Sequence, residues 1–408
     1  MAKRWNRIET WLTLIVGGVG LVILGVAGLW VYVSATATPL HPNAQAVPSV
    51  TQSAPATQWT TAAEQARQIV RATLAEQNWP GLSVAVGVGS EIVWAEGFGF
   101  ADLEQRVKVE PQTRFRIGTA STALTSVAVG LLLEKGALTL DDPIQKHVPE
   151  FPAKPWPVTL RQVMAHTAGL PSDGGDEGPM FGQHCDRPVD GLKEFADRAL
   201  RFEPGTEFRN SDYGWILMSA AIEAAAGEPF VIFMRKQIFE PLGMESTAPD
   251  FAKDVAADRA ISYFPRFAAD PRYGPDVMRD IDLSCYAGAS AFISTPSDLV
   301  RFAQAINNGK LLTPATVQLL QTSQRLPSGQ ETGYGLGWDL ETTDIAGKPA
   351  RVAGHDGEVL GGMAVSLQTF PEYGVVVAVA ANISYADTFA LSTKIVQAFT
   401  ERGNPPKE

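Results

Sequence analysis

The sequence predicts an α+β fold. One antiparallel β-sheet is built from both ends of a globular domain and flanked by helices, a helical subdomain is inserted between the two ends, and an N-terminal transmembrane helix precedes the whole. Three observations predict this. Alternating β-type runs occur near both ends, at 82–100 and 362–382; helical periodicity fills the chain between them; and an uncharged apolar run covers 11–33. At 408 residues, 45% of them hydrophobic, the chain is long enough to bury a large core. No repeat with a period of roughly 20 to 50 residues is visible, which excludes a solenoid or propeller.

The apolar run "WLTLIVGGVGLVILGVAGLWVYV" follows Lys3, Arg4 and Arg7. Its length suits a hydrocarbon core about 30 Å thick. Residues 11–34 are therefore expected to be a transmembrane anchor and 1–10 a cytoplasmic N-terminus, because basic residues stay on the cytoplasmic side. The alternative is a signal peptide cleaved near "ATA" at 35–37. Either way the rest of the chain is extracytoplasmic, and periplasmic in a bacterium. Residues 35–58 are rich in Ala, Thr, Pro and Gln and read as a flexible linker containing His41, with one domain over 59–404.

Within that domain, Thr60 to Gln77 has helical spacing. Residues 82–100 alternate around Gly89-Ser90, which suits a hairpin at a sheet edge. Leu124, Val127, Leu131 and Leu132 share one helix face, and Gly136 stops that helix. Thr119, Ser121, Thr122, Thr125 and Ser126 crowd its first turns, where hydroxyls are suited to capping free N–H groups. Thr159 and Gln162 form a capping box; residues 212–226 make a helix closed by Gly227; Pro296 opens another that ends at Gly309. Two strands in 362–382 and a closing helix from about 386 to 401 complete the chain.

A net charge of -11 argues against a nucleic-acid partner. No Gly-rich loop follows a phosphate-binding pattern, since "GGVG" belongs to the apolar segment, and no cofactor is implied. Cys185 and Cys285 are the two cysteines, and in an oxidising compartment they can form a disulfide. His184 beside Cys185 lacks the spacing of a metal site.

Several stretches then occur in a fixed order: "FRIG", "EKGALTLDDPIQKHVPEFP", "TLRQVMAHTAGLP", "EPGTEF", "FEPLGM", "STPSDLVRFAQAINNG", "GYGLGW" and "GHDG". Over roughly 59–404 the chain resembles the class C-like branch of the serine β-lactamases and penicillin-binding-protein-like hydrolases, with its esterases and D-aminopeptidases. The resemblance implies a Ser nucleophile in S-x-x-K at the start of the buried helix, a Y-x-N motif for proton transfer and substrate holding, and K-T-G or H-x-G on a cleft-lining strand.

The register through "RIG" places Thr119 at the Ser position and Thr122 at the Lys position. The register through "PGTEF" places Asn210 at the Tyr and Asp212 at the Asn of Y-x-N. Only His355-Asp356-Gly357 keeps its pattern. The backbone N–H groups of Thr119 and Glu358 are the oxyanion donors the resemblance implies. His166 reads as structural, and His355 as either a ligand contact or a structural hydrogen-bonding group.

A threonine hydroxyl is weak without an adjacent base, and neither Thr122 nor Asn210 takes up a proton at neutral pH. The first expectation is therefore a degenerate, membrane-anchored homologue that binds a peptide, cell-wall fragment or protein partner in its cleft. The second is an atypical esterase or peptidase using Thr119 or Ser121, with His355 or Asp212 as base. The third is a structural envelope protein.

Overall fold

The computed structural model describes residues 2–172, 183–250, 258–279, 281–359 and 362–400. The first helix, α1 (Ala2–Thr36), contains the one segment among the described residues that by itself is long and apolar enough to cross a membrane, Trp11–Thr36. Leu14, Leu21 and Leu24 on it are exposed, whereas Val33 in its last turn is buried and Trp30 Nε1 donates to Tyr273 OH of the domain at 3.0 Å.

The main sheet follows the order β1 (Ser49–Thr51), β3 (Glu91–Asp102), β2 (Gly81–Val88), β7 (Val375–Ala381), β6 (Met363–Phe370), β5 (Lys348–Val359) and β4 (Asp339–Ile345), and every neighbouring pair is antiparallel. The two ends of the domain meet where Leu82 pairs with Ala381 and Val88 with Val375. Both central strands are buried on both faces, which explains their runs of Val and Ala. On one face α2 (Thr60–Gln77) packs with α7 (Thr388–Thr400), burying Val70, Leu74, Ile395 and Phe399 in one core. On the other lies the larger core, with α3 (Ser121–Glu134), α5 (Asp212–Ala226) and α6 (Pro296–Asn307).

Helix ends follow the local signals. Thr159 and Gln162 make both bonds of the capping box that opens α4 (Leu160–Met164), and Gly227 ends α5 at φ 68°. The hydroxyl cluster departs from the capping expectation. The helix start is instead wound from a 3₁₀ turn at Gly118–Ala120, and no side chain caps α3. Thr125 donates to the carbonyl of Gly288 (2.8 Å) and Ser126 to that of Leu336 (2.5 Å), so these hydroxyls tie the buried helix to two loops.

Two expectations need correction. The 35–58 segment is not a free linker throughout: β1 pairs with β3, Val47 is buried, Leu40 N–H donates to Asn78 Oδ1, and His41 is buried against Trp79 and Phe100. Three paired residues are too short a run to show alternation, so only edge pairing decides them. For the same reason the 82–100 hairpin is not the sheet edge, because β1 lies outside it. The closing helix is described to Thr400; residues 401–404 of the expected domain lie outside the described residues.

Candidate functional site

The cleft is organised by one close approach of backbone. Strand β5 crosses the start of α3 at Gly357, where a Cβ would stand 2.0 Å from the Ile117 carbonyl oxygen and 2.8 Å from Ala120 N. Only glycine fits, and the crossing puts Thr119 beside the strand. Thr119 Oγ1 donates to the backbone carbonyl of Asp356 at 3.1 Å.

That same carbonyl lies 2.6 Å from His355 Nδ1. A carbonyl only accepts, so Nδ1 carries the hydrogen. In the neutral ring Nε2 is then the acceptor, and Tyr334 OH lies 3.1 Å from it. Burial pushes the Tyr334 phenol well above its ordinary range, which keeps that proton in place. Behind Tyr334, at 4.8 Å between ring centroids, sits His166. Its Nδ1 accepts from Ser211 N–H at 3.2 Å, and burial lowers its pKa to about 3, so it is neutral. Both rings thus have their lone-pair nitrogens engaged, and neither offers a base to Thr119.

The aligned positions Thr119, Thr122, Asn210, Asp212, His355, Gly357 and Glu358 all line this one cleft of about 370 Å³. Thr122 is buried, Asn210 exposed, and Asp212 half-buried in the first turn of α5, where the helix dipole favours its negative charge. Ser121 does not reach it: the residue is fully buried and its Oγ has no hydrogen-bond partner. That removes Ser121 as an alternative nucleophile. Asp356 also lines the cleft. Burial first, then the charge of nearby Asp339, raises its carboxyl to about 6, although the residue keeps contact with solvent through the cleft mouth. Among the described residues no three His, Cys, Asp or Glu side chains come together to hold a metal ion.

Cys185 and Cys285 are joined as a disulfide. His184 lies against Asp282 (2.9 Å) and 3.4 Å from Asp186, and it does not line the cleft. Sequence reasoning gave no role to Tyr334, Asp339 or Asp387, which line the cleft as well. The motif "GYGLGW" contained Tyr334, and its glycines were the available signal: Gly333 and Gly337 take φ of 70° and 94°, so the motif is a tight turn that aims the phenol inward.

The geometry agrees with the comparison to known proteins. The family model described as Beta-lactamase matches residues 66–400. The chain belongs to the Beta-lactamase family. Among relatives of this family, the mouse "Serine beta-lactamase-like protein LACTB, mitochondrial" is 25% identical over 83% of this chain and 80% of its own length. "Penicillin-binding protein 4*" of Bacillus subtilis is 26% identical over 70% of this chain and 64% of its own. Of the solved structures, the octameric penicillin-binding protein homologue from Pyrococcus abyssi superposes with a TM-score of 0.70 at 23% identity, covering 83% of this chain and 77% of that one. The D-amino acid amidase from Ochrobactrum anthropi SV3 complexed with L-phenylalanine amide gives 0.68 at 22%, covering 85% and 99%. At these identities the structural matches establish the Beta-lactamase fold.

Proposed function

We propose that the chain is a membrane-anchored, catalytically degenerate Beta-lactamase-family protein that holds a peptide, a cell-wall fragment or a protein partner non-covalently in its cleft. One observation carries this reading: the Thr119 hydroxyl gives its hydrogen to a backbone carbonyl, which cannot take the proton away, and both nitrogens of His355 are already engaged. A hydroxyl nucleophile at its ordinary pKa needs a base in reach. The family positions that would supply one hold Thr122 and Asn210. Losses within a catalytic unit are non-additive, and one alone can cost about a millionfold in kcat.

The cleft itself supports a binding role. Thr119 and Glu358 keep their places on its wall, so N–H donors for a carbonyl or carboxylate survive side-chain replacement. The similar amidase was solved with an amino acid amide, which suits a peptide-like occupant. The anchor reading rests on Trp11–Thr36 and on Lys3, Arg4 and Arg7, which keep the N-terminus cytoplasmic and the domain outside. A disulfide in the domain fits an oxidising compartment.

The test is intact-protein mass spectrometry of the full chain in detergent micelles, after exposure to a fluorophosphonate and to a penicillin, with Thr119→Ala alongside. The expected result is no adduct on folded protein. A covalent adduct on Thr119 that the Ala variant lacks, or Thr119-dependent turnover near ~1 s⁻¹, overturns the proposal in favour of an atypical threonine hydrolase.

A further inference from the structure

We infer that the hairpin loop 266–274 of the domain is a membrane-contact element, seated in the phospholipid headgroup interface beside the anchor. The inference deepens the anchor part of the reading above and rests on it. The loop joins two short antiparallel strands, Tyr263–Pro265 and Pro275–Val277. Depth along α1 carries the argument. Trp11 and Trp30 stand 19 residues apart, which at about 1.5 Å per residue separates them by about 29 Å along the helix axis. That matches a hydrocarbon core about 30 Å thick, and Trp is enriched at both of its boundaries. Trp30 therefore marks the boundary on the domain's side. Its Nε1 donates to Tyr273 OH at 3.0 Å, which sets a tyrosine of the domain at the same depth.

Contacts further along the helix keep the same order. Arg266 Nη2 donates to Thr36 Oγ1 at 2.9 Å, and its Nη1 lies 3.4 Å from the Thr36 carbonyl. Thr36 is about 9 Å beyond Trp30 along the axis. The headgroup zone extends about 5–8 Å past the core, so this guanidinium stands at its outer side. Asn78 then clasps the chain that leaves the helix. Its Oδ1 accepts from Leu40 N–H at 2.7 Å, while Nδ2 lies 3.4 Å from the carbonyl of Thr38 and 3.5 Å from that of Arg272. The exit from the membrane is thus held to the domain at Trp30, Thr36, Thr38 and Leu40.

The loop's own side chains suit that depth. Phe267 and Tyr273 meet edge to face, 5.7 Å between ring centroids, and both are partly exposed. The tip beside Phe267 is Ala268 and Ala269, exposed and without charge to desolvate. Asp270 and Arg272 pair with each other at 2.7 Å, so their charges enter the interface together. Rings with an apolar body and a polar end are placed best where lipid meets water. The same hairpin reaches the cleft: Phe264 meets Tyr385 edge to face at 5.6 Å, next to Ala386 and Asp387 of the cleft lining. Seating the loop therefore holds that rim of the cleft near the lipid surface.

Fluorescence quenching of the full chain in phosphatidylcholine vesicles tests this, with lipids that carry a nitroxide on the headgroup or deep on the acyl chain. Ala269→Cys, Leu21→Cys and Lys310→Cys each take a thiol-reactive fluorophore, the native cysteines being bridged to each other. Leu21 lies midway between Trp11 and Trp30. Lys310 is exposed next to Asn308, which bonds the Gly89 turn at the opposite end of β2 from Asn78. The headgroup nitroxide is expected to quench the label at 269 roughly threefold more strongly than the label at 310, and the acyl-chain nitroxide to quench the label at 21. Adding Phe267→Asp should bring quenching at 269 down to the level at 310, because a charge is costly at that depth. If that variant does not fold, the comparison of 269 with 310 on the otherwise unaltered chain decides. Equal quenching at 269 and 310, or quenching at 269 that Phe267→Asp leaves unchanged, overturns the inference, and the anchor reading stands as long as the label at 21 is quenched. An unquenched label at 21 removes both.

Discussion

The frame around the cleft and the cleft itself treat charge in opposite ways. In the frame, Asp250 is buried and is held by both Arg116 and Arg259, while Arg116 also donates to the Ile281 carbonyl. In the cleft, Asp339 and Asp356 adjoin each other and no arginine or lysine joins them among the described lining residues. A buried carboxylate with two guanidinium partners is an architectural part, complete in itself. Asp339 and Asp356 face the cavity without such a guanidinium among the described lining residues, and the difference separates what keeps the domain folded from what lines the cleft.

Substitutions can break that comparison or sharpen it. The largest effect is expected from Arg116→Ala, which leaves Asp250 buried with half its partners and should cost about 3–5 kcal/mol by chemical denaturation. A cost near that of a surface change would show that the frame is not built on this pair. Next comes the Cys185→Ser/Cys285→Ser double variant. The bridge closes a separation of 100 residues, so its loss should cost about 4 kcal/mol, read as a fall in the denaturation midpoint.

His166 gives a smaller effect with a defined sign. The unfolded ring takes up its proton near the ordinary 6.5 and the folded one only near 3, so stability is lost as pH falls through that window. Between pH 7 and 4.5 the loss should be roughly 2–3 kcal/mol, and His166→Asn should flatten it. Asparagine tolerates the left-handed backbone at this position, φ 57°, and keeps an acceptor for Ser211 N–H.

The smallest effect belongs to the cleft. The carboxyl of Asp356 is raised to about 6 from an ordinary value of 3.8, so its ionisation works against folding and stability is lost as pH rises through that window. Asp356→Asn should leave the protein at least as stable at pH 7 and weaken the pH dependence between 4 and 6. Thermal denaturation at both ends of that window checks it. Destabilisation at pH 7 would mean that Asp356 is part of the frame after all.

Much of the fold could be read from the residues, because the signals were local. The Gly89-Ser90 turn, the Thr159/Gln162 box and Gly227 each act within a few positions, and each marks an element end. The strand Ser49–Thr51 could not be read, because three residues form it only against a partner almost fifty positions away. Within the cleft, the replacements at Thr119, Thr122 and Asn210 were legible through the family register. Tyr334 was visible as part of a motif but not as a partner of His355, since nothing in "GYGLGW" says which side chain the turn faces.

The sequence by itself determined which side chains stand at the family positions, and a threonine or an asparagine takes up no proton at neutral pH wherever the fold puts it. It also determined that Gly357 is free of a side chain, and so able to pass where a Cβ would strike Ile117. Only the tertiary structure decided that Thr119 spends its hydrogen on the Asp356 carbonyl, that His355 is closed on both sides, and that five scattered carboxylates share one cavity. The physical reason is range: side-chain identity fixes what a group can donate or accept, while the long-range crossing of β5 over the start of α3 fixes which group it meets.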